Sequence, residues 1–271
     1  MPLFFLISGF CFSIRGYKLY LWKKTKRILI PYVIFTLLDM IPCALLGFLF
    51  NRPRDINESM RQMVFYGGAK WFLYVLFIIF LIYPLLFLVH RNNRKIMLTV
   101  EGALLVIAIM GIPVDIFRLG SVAYYVFYFH TGFLVRNFYP AIKERFKRIK
   151  NGSVILLSIC LLALWIIFLS TLSGKARIVA AVTGIVTCYT LTRWDWFNKC
   201  FARFGKYSLQ IYLLNGWMLG ISRTLICNVL GISFTPVIIA ANMIVDFGIS
   251  YLLIKYVCER FKIVRYVMGM A

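Results

Sequence analysis

Acidic residues are scarce in this sequence, and so is charge of any kind. Nine Asp and Glu stand against 31 Lys and Arg, and charged residues make up only 15% of the 271 positions. A soluble globular chain carries about a quarter charged and roughly half apolar residues, whereas here 62% are hydrophobic and the mean hydropathy is +0.85. The shortage of charge excludes an ordinary soluble domain. Histidine is nearly missing as well, with only His90 and His130, so imidazole chemistry has two places to reside. The seven cysteines are scattered, mostly within apolar runs, and never form a C-x-x-C pair; they read as small packing residues, without a disulfide framework or a metal site. No G-x-x-x-x-G-K-S/T, G-x-G-x-x-G, G-x-S-x-G, H-E-x-x-H or EF-hand loop is present, which sets aside nucleotide hydrolysis, dinucleotide redox chemistry, soluble serine hydrolysis and zinc proteolysis. Internal repeats, Gly/Ser linkers and low-complexity tracts are also lacking. The first apolar run is followed, not preceded, by basic residues and shows no small-residue cleavage site, so it does not read as a signal peptide.

What is present is a series of apolar runs. At about 20 residues per crossing of a ~30 Å hydrocarbon core, nine are expected to span, over 1–14, 28–50, 71–89, 96–114, 122–139, 154–172, 178–191, 209–230 and 234–257. The expected fold is an all-α polytopic transmembrane helix bundle, one membrane domain from Met1 to Ala271. The first run is short for a crossing, and Pro42 is placed to kink the second. Residues 51–70 read as a polar outer loop, 136–150 as a basic segment lying along anionic headgroups, and 258–271 as a basic tail. The net charge of +22 invites a nucleic-acid partner, yet no basic arm stands apart from the apolar runs. Topology explains it better: if loops alternate sides, 23 of the 31 Lys and Arg share one side. By the positive-inside rule that side, and the C-terminus with it, is cytoplasmic.

Two stretches carry more pattern than spanning requires. The opening MPLFFLISGF runs into a basic segment that ends in Arg27-x-x-x-Pro31-Tyr32, and Gly205-Lys206-Tyr207-Ser208-Leu209-Gln210-Ile211-Tyr212-Leu213-Leu214-Asn215 introduces the eighth run. Both resemble motifs of the acyltransferase 3 family of integral membrane proteins, MPLFFxxSGF with R-x-x-x-P-Y and G-K-x-S-L-x-I-Y-L-x-H, although Asn215 stands where that family usually has histidine. Weaker likenesses are Trp71-Phe72-Leu73 and the aromatic stretch from Tyr124-Tyr125 to Gly132. The resemblance implies a ten-helix fold in the inner (plasma) membrane, with a further helix, bearing a catalytic histidine, ahead of Met1. It also implies O-acylation: an acyl group, expected to be acetyl, passes from cytoplasmic acyl-CoA to a hydroxyl of a cell-envelope glycan or its lipid-linked precursor.

Acyl transfer needs a base for the acceptor proton and a polar cradle for the developing oxyanion. His130, inside an apolar run, is the candidate base, with a satisfied core histidine as the alternative. Tyr212 and Asn215 are three residues apart and share a helix face; Asn215 orients or donates but is no base at neutral pH. Arg27, Tyr32, Lys206 and Ser208 are the candidates for holding acyl-CoA. Against this, Arg27 reads as a positive-inside anchor, Lys206 as a snorkelling side chain and Ser208 as a helix cap. No metal is expected. A reading from another class, a polysaccharide or small-molecule transporter, would use Asp39, Glu101 and Asp246, which lie in apolar runs; no inverted repeat supports it.

Overall fold

The structure, a computed structural model, describes residues 1–14, 16–45, 56–90, 93–147, 151–172, 174–229, 231 and 234–270. Among them there is no strand, and the chain is helical almost throughout. It divides into two compact units, Met1–Trp22 with Asp55–Asn198, and Lys23–Arg54 with Lys199–Ala271. Length and hydropathy together mark three helical stretches that can cross a membrane: Asn57–Val89, Gly152–Thr171 and Thr235–Cys258.

In the first unit, α1 (Pro2–Phe10) has nine residues and so reaches about 14 Å, under half of a bilayer core. Its partner is α7 (Leu119–Lys147). A Cβ on Gly9 would collide with the Phe129 carbonyl, and one on Gly132 with the Leu6 carbonyl. The two glycines therefore face each other's backbones reciprocally, and the helices touch main chain to main chain. Such contact matters because apolar helices gain little from hiding from lipid, so association rests on close packing. Arg136 then donates through Nη1 to the Phe12 carbonyl at 2.5 Å, tying the chain beyond α1 to α7. Around this seam Phe5 stacks on Tyr125 at 4.3 Å between ring centres, and the Phe12 ring meets Tyr83 edge-on at 4.8 Å.

The remaining helices of this unit are α2 (Tyr17–Lys24, which ends in the second unit), α4 (Ile56–Tyr66), α5 (Trp71–His90), α6 (Arg94–Met110), α8 (Asn151–Thr171) and α9 (Arg177–Leu191). Asn93 caps α6 by accepting from the Lys95 and Ile96 amides, and Gly111, at φ +73°, closes it. Along α8 apolar side chains such as Leu156, Ile159 and Ile166 are exposed, as befits a helix bathed in lipid. Two expectations are revised. Within the expected loop 51–70, residues 51–55 lie outside the described residues, but Ile56–Tyr66 is helical, with Gln62 bonded to Glu58 one turn away. The basic segment 136–150 is no separate surface helix: α7 runs through it to Lys147, with Pro140 inside.

In the second unit α3 (Ile30–Leu45) follows a π-helical turn at Thr25–Leu29. Next come α10 (Asp195–Lys206, which begins in the first unit), α11 (Ser208–Arg223), a π turn over Thr224–Val229, and α12 (Thr235–Met243). The last crossing continues through two more π turns, Ile244–Ile249 and Ile254–Cys258, on either side of α13 (Ser250–Leu253). The basic tail contains α14 (Lys262–Val267), packed on α3.

Candidate functional site

The residues singled out by sequence fall into two settings: Arg27, Tyr32, Lys206, Ser208, Tyr212 and Asn215 in the second unit, His130 in the first.

Arg27 is exposed on the π turn ahead of α3. No ion pair holds its guanidinium among the described residues. Its backbone, by contrast, is held tightly. A Cβ on Gly269 would lie 2.6 Å from the Arg27 carbonyl oxygen and 3.1 Å from Pro31 Cγ, and Gly269 has φ +69°. Crowding and conformation both demand glycine there. One residue earlier the Met268 carbonyl accepts from Gln210 Nε2 at 3.0 Å, with both residues buried. Lys26 adds its ammonium 5.9 Å from the centre of the Tyr266 ring. The Arg27-x-x-x-Pro31-Tyr32 motif and the Gly205-to-Asn215 motif, 178 residues apart at their first positions, thus meet adjacent tail residues, the first packing on Gly269 and the second bonding Met268.

Lys206 closes α10 and is exposed; its Nζ donates to Tyr207 Oη at 3.0 Å and lies 3.5 Å from Glu259 Oε1, to which Tyr207 Oη donates at 2.7 Å. The Tyr207 hydroxyl, aided by Lys206, holds Glu259 below the ordinary glutamate range, and the same hydroxyl with the Glu259 charge raises Lys206. Lys206 is therefore latched to the end of the last crossing. Ser208 is the first residue of α11; the N-cap is Tyr207, with no side-chain capping bond, so serine capping is not its role. Tyr212 and Asn215 lie half-buried on α11, one turn apart. Tyr32 is buried, and its carbonyl accepts from Thr36 Oγ1 at 2.7 Å.

His130 is fully buried on α7. Its Nε2 lies 3.2 Å from the Met97 carbonyl, which can only accept, so the neutral ring carries its proton there. Nδ1 then accepts from the Tyr83 hydroxyl at 2.8 Å. Glu101 Oε2 sits 3.9 Å from Nε2, while Glu101 Oε1 accepts from Thr131 Oγ1 at 2.6 Å. The arrangement is hydroxyl, imidazole, carboxylate in sequence, with the carboxylate near enough to stabilise an imidazolium without taking its proton.

Sequence reading missed the tail contacts and most of the histidine's company. Gly269 directly after a helix was a legible stop signal. Glu101 had been noticed as an acid in an apolar run, but Tyr83, Met97 and Thr131 carry no signal of their own. Of the three acids proposed for an ion path, Asp39 accepts from Trp217 Nε1 at 2.7 Å and Glu101 from Thr131, in separate units.

The sequence model of the acyltransferase 3 family, described as an acyltransferase domain, matches residues 1–254. No curated protein and no solved structure matches the chain. All seven candidate residues lie within the matched span; the α14 segment that fastens two of their motifs lies beyond it.

Proposed function

The chain belongs to the acyltransferase 3 family and is a membrane acyltransferase, and from that premise we propose the reaction and the parts its residues play. An acetyl group is transferred from cytoplasmic acetyl-CoA to a hydroxyl of an envelope glycan or its lipid-linked precursor, by a multi-pass protein of the inner membrane whose C-terminus is cytoplasmic. The C–S bond of the thioester breaks and a C–O ester bond forms. The proton leaving the acceptor hydroxyl passes through a base to the departing CoA thiolate.

The observation that carries the donor half is the packing of Arg27 on Gly269 next to the bond from Gln210 to Met268. It supports a donor site in which Arg27, Lys26 and Lys206 contact the phosphates of CoA. Arg27, exposed and in no ion pair among the described residues, is assigned the principal phosphate contact, with Lys206 and Ser208 as further contacts, and buried Tyr32 positions the head of α3. On α11, Tyr212 and Asn215 supply donors to the thioester carbonyl, where charge develops.

His130 is assigned the base. Its setting imposes a condition: an acceptor reaches Nδ1 only by displacing the Tyr83 hydroxyl, after which Glu101 supplies the countercharge for the imidazolium. The test is thiol release from acetyl-CoA by membranes containing the protein, with and without glycan fragments, beside uptake of the same fragments into vesicles. Glycan-dependent thiol release with an acetylated product is expected; uptake without acetyl transfer would replace the reading with transport.

A further inference from the structure

Within the first unit, one to two turns along α7 from His130, a cavity of about 350 Å³ opens between the first turn of α1, α7, α8 and α9. The sequence explains why it is open. The helix α9 offers Ala180, Ala181 and Gly184 as its floor, and a Cβ on Gly184 would stand 2.6 Å from Trp165 Nε1. Any larger residue there would push the indole into the space. The walls are the rings of Tyr124, Tyr125 and Trp165, and Arg177 stands at the rim with Cys188 further along α9.

Apolar side chains such as Leu3, Leu169 and Ile185 make up most of the lining, and its nitrogen and oxygen side-chain groups are a guanidinium, two phenol hydroxyls and an indole N–H, with no carboxylate. A cation would find no countercharge. Flat aromatic walls suit the C–H faces of a pyranose ring, and Arg177 suits an acid group on that ring. The volume lies at the lower end of ligand pockets, enough for a small saccharide. The distribution of Lys and Arg places this end of α7, α8 and α9 opposite the cytoplasm.

We infer that this cavity is the acceptor subsite, and that the acceptor sugar it takes carries an acid group, a uronate or a sugar phosphate. The inference rests on the acyl-transfer reading above and adds the substrate's chemistry and place. Cys188, a free and exposed thiol on the lining, is the reporter. The full chain in phosphatidylcholine nanodiscs is alkylated with N-ethylmaleimide, and the rate at the Cys188 peptide is read by mass spectrometry with and without sugar. A glucuronide disaccharide should slow alkylation at least fivefold at millimolar concentration, and methyl glucoside less than twofold. Arg177→Gln should erase the difference between the two sugars, and Gly184→Leu should erase protection altogether. Glucose 1-phosphate in a parallel arm separates the two acid groups: protection by it alone assigns phosphate, and by the glucuronide alone assigns uronate. Failure of both acids to protect, or equal protection by methyl glucoside, overturns the inference. So does quenching of tryptophan fluorescence by brominated-chain lipid that disappears in Trp165→Phe, which would identify a lipid tail as the occupant. Thiol release from acetyl-CoA in the same nanodiscs is read separately, so loss of the acyl-transfer reading and loss of the subsite are distinguishable.

Discussion

The two units solve the problem of packing apolar helices in different ways. In the unit holding His130, helices run regularly for up to 29 residues and lock through paired glycines and aromatic edges. All four π-helical turns among the described residues belong to the other unit, which also holds Arg27-x-x-x-Pro31-Tyr32 and the Gly205-to-Asn215 motif. A π turn widens the helix by a residue and spoils its regular ladder, and such turns gather at functional places. Buried polar atoms with no hydrogen-bond partner among the described residues occur on both sides, Glu101 Oε2 and Trp194 Nε1 in the regular unit and Ser222, Asn242, Asp246 and Ser250 in the π-turned one. The regular unit holds the buried imidazole, and the π-turned unit holds Arg27, Lys206, Tyr212 and Asn215.

Breaking the rigid side should give the largest effect. Gly9→Leu and Gly132→Leu each force a side chain into the opposing backbone, at a cost of about 3 kcal/mol or more; size-exclusion profiles of each variant should show aggregate in place of folded protein. His130→Gln should lower acetyl transfer by about 10²- to 10⁴-fold, the usual worth of a general base, with folding intact by thermal melt. Wild-type rates in that variant would return His130 to a packing role and leave the rigid unit without chemistry.

On the irregular side, Arg27→Ala should raise KM for acetyl-CoA about tenfold or more, the loss of a charge-assisted contact. Lys23→Ala and Lys24→Ala, whose residues have only the anchoring reading, should change it less than about threefold on the same scale. Gly269→Leu touches no substrate, so it should raise KM for acetyl-CoA severalfold and leave kcat near wild type, separating displaced Arg27 from lost chemistry. Smallest is the Lys206–Tyr207–Glu259 latch. The lowered Glu259 contributes fully above its ordinary value of 4.5, and that share is lost as pH falls through its folded value. The raised Lys206 contributes below 10.5, and its share goes as pH rises through its folded value. The difference in melting temperature between wild type and Glu259→Gln should therefore be small, flat from about pH 5 to 10, and shrink outside that window.

Helical class, membrane residence and family were legible in the sequence because they are local or compositional: apolar runs, Lys and Arg at their ends, and two motifs of contiguous residues. What was not legible depends on residues far apart in the chain. Nothing near Gly269 says that its neighbour is the Arg27 carbonyl, and nothing near His130 names Tyr83, 47 positions away. The helical character of 56–66 was hidden because its polar composition resembles a loop when no packing partner is in view.

The facing glycines also set a schedule for making the protein. Gly132 follows Gly9 by 123 residues; at the usual 5 to 20 residues per second, α7 leaves the ribosome roughly 6 to 25 s after α1. Throughout that interval α1 lacks the glycine-matched surface that holds it. Biogenesis therefore needs a temporary shelter for α1, which predicts that slowing translation between the codons for Gly9 and Gly132 lowers the yield of inserted protein, while slowing it after Lys147 does not.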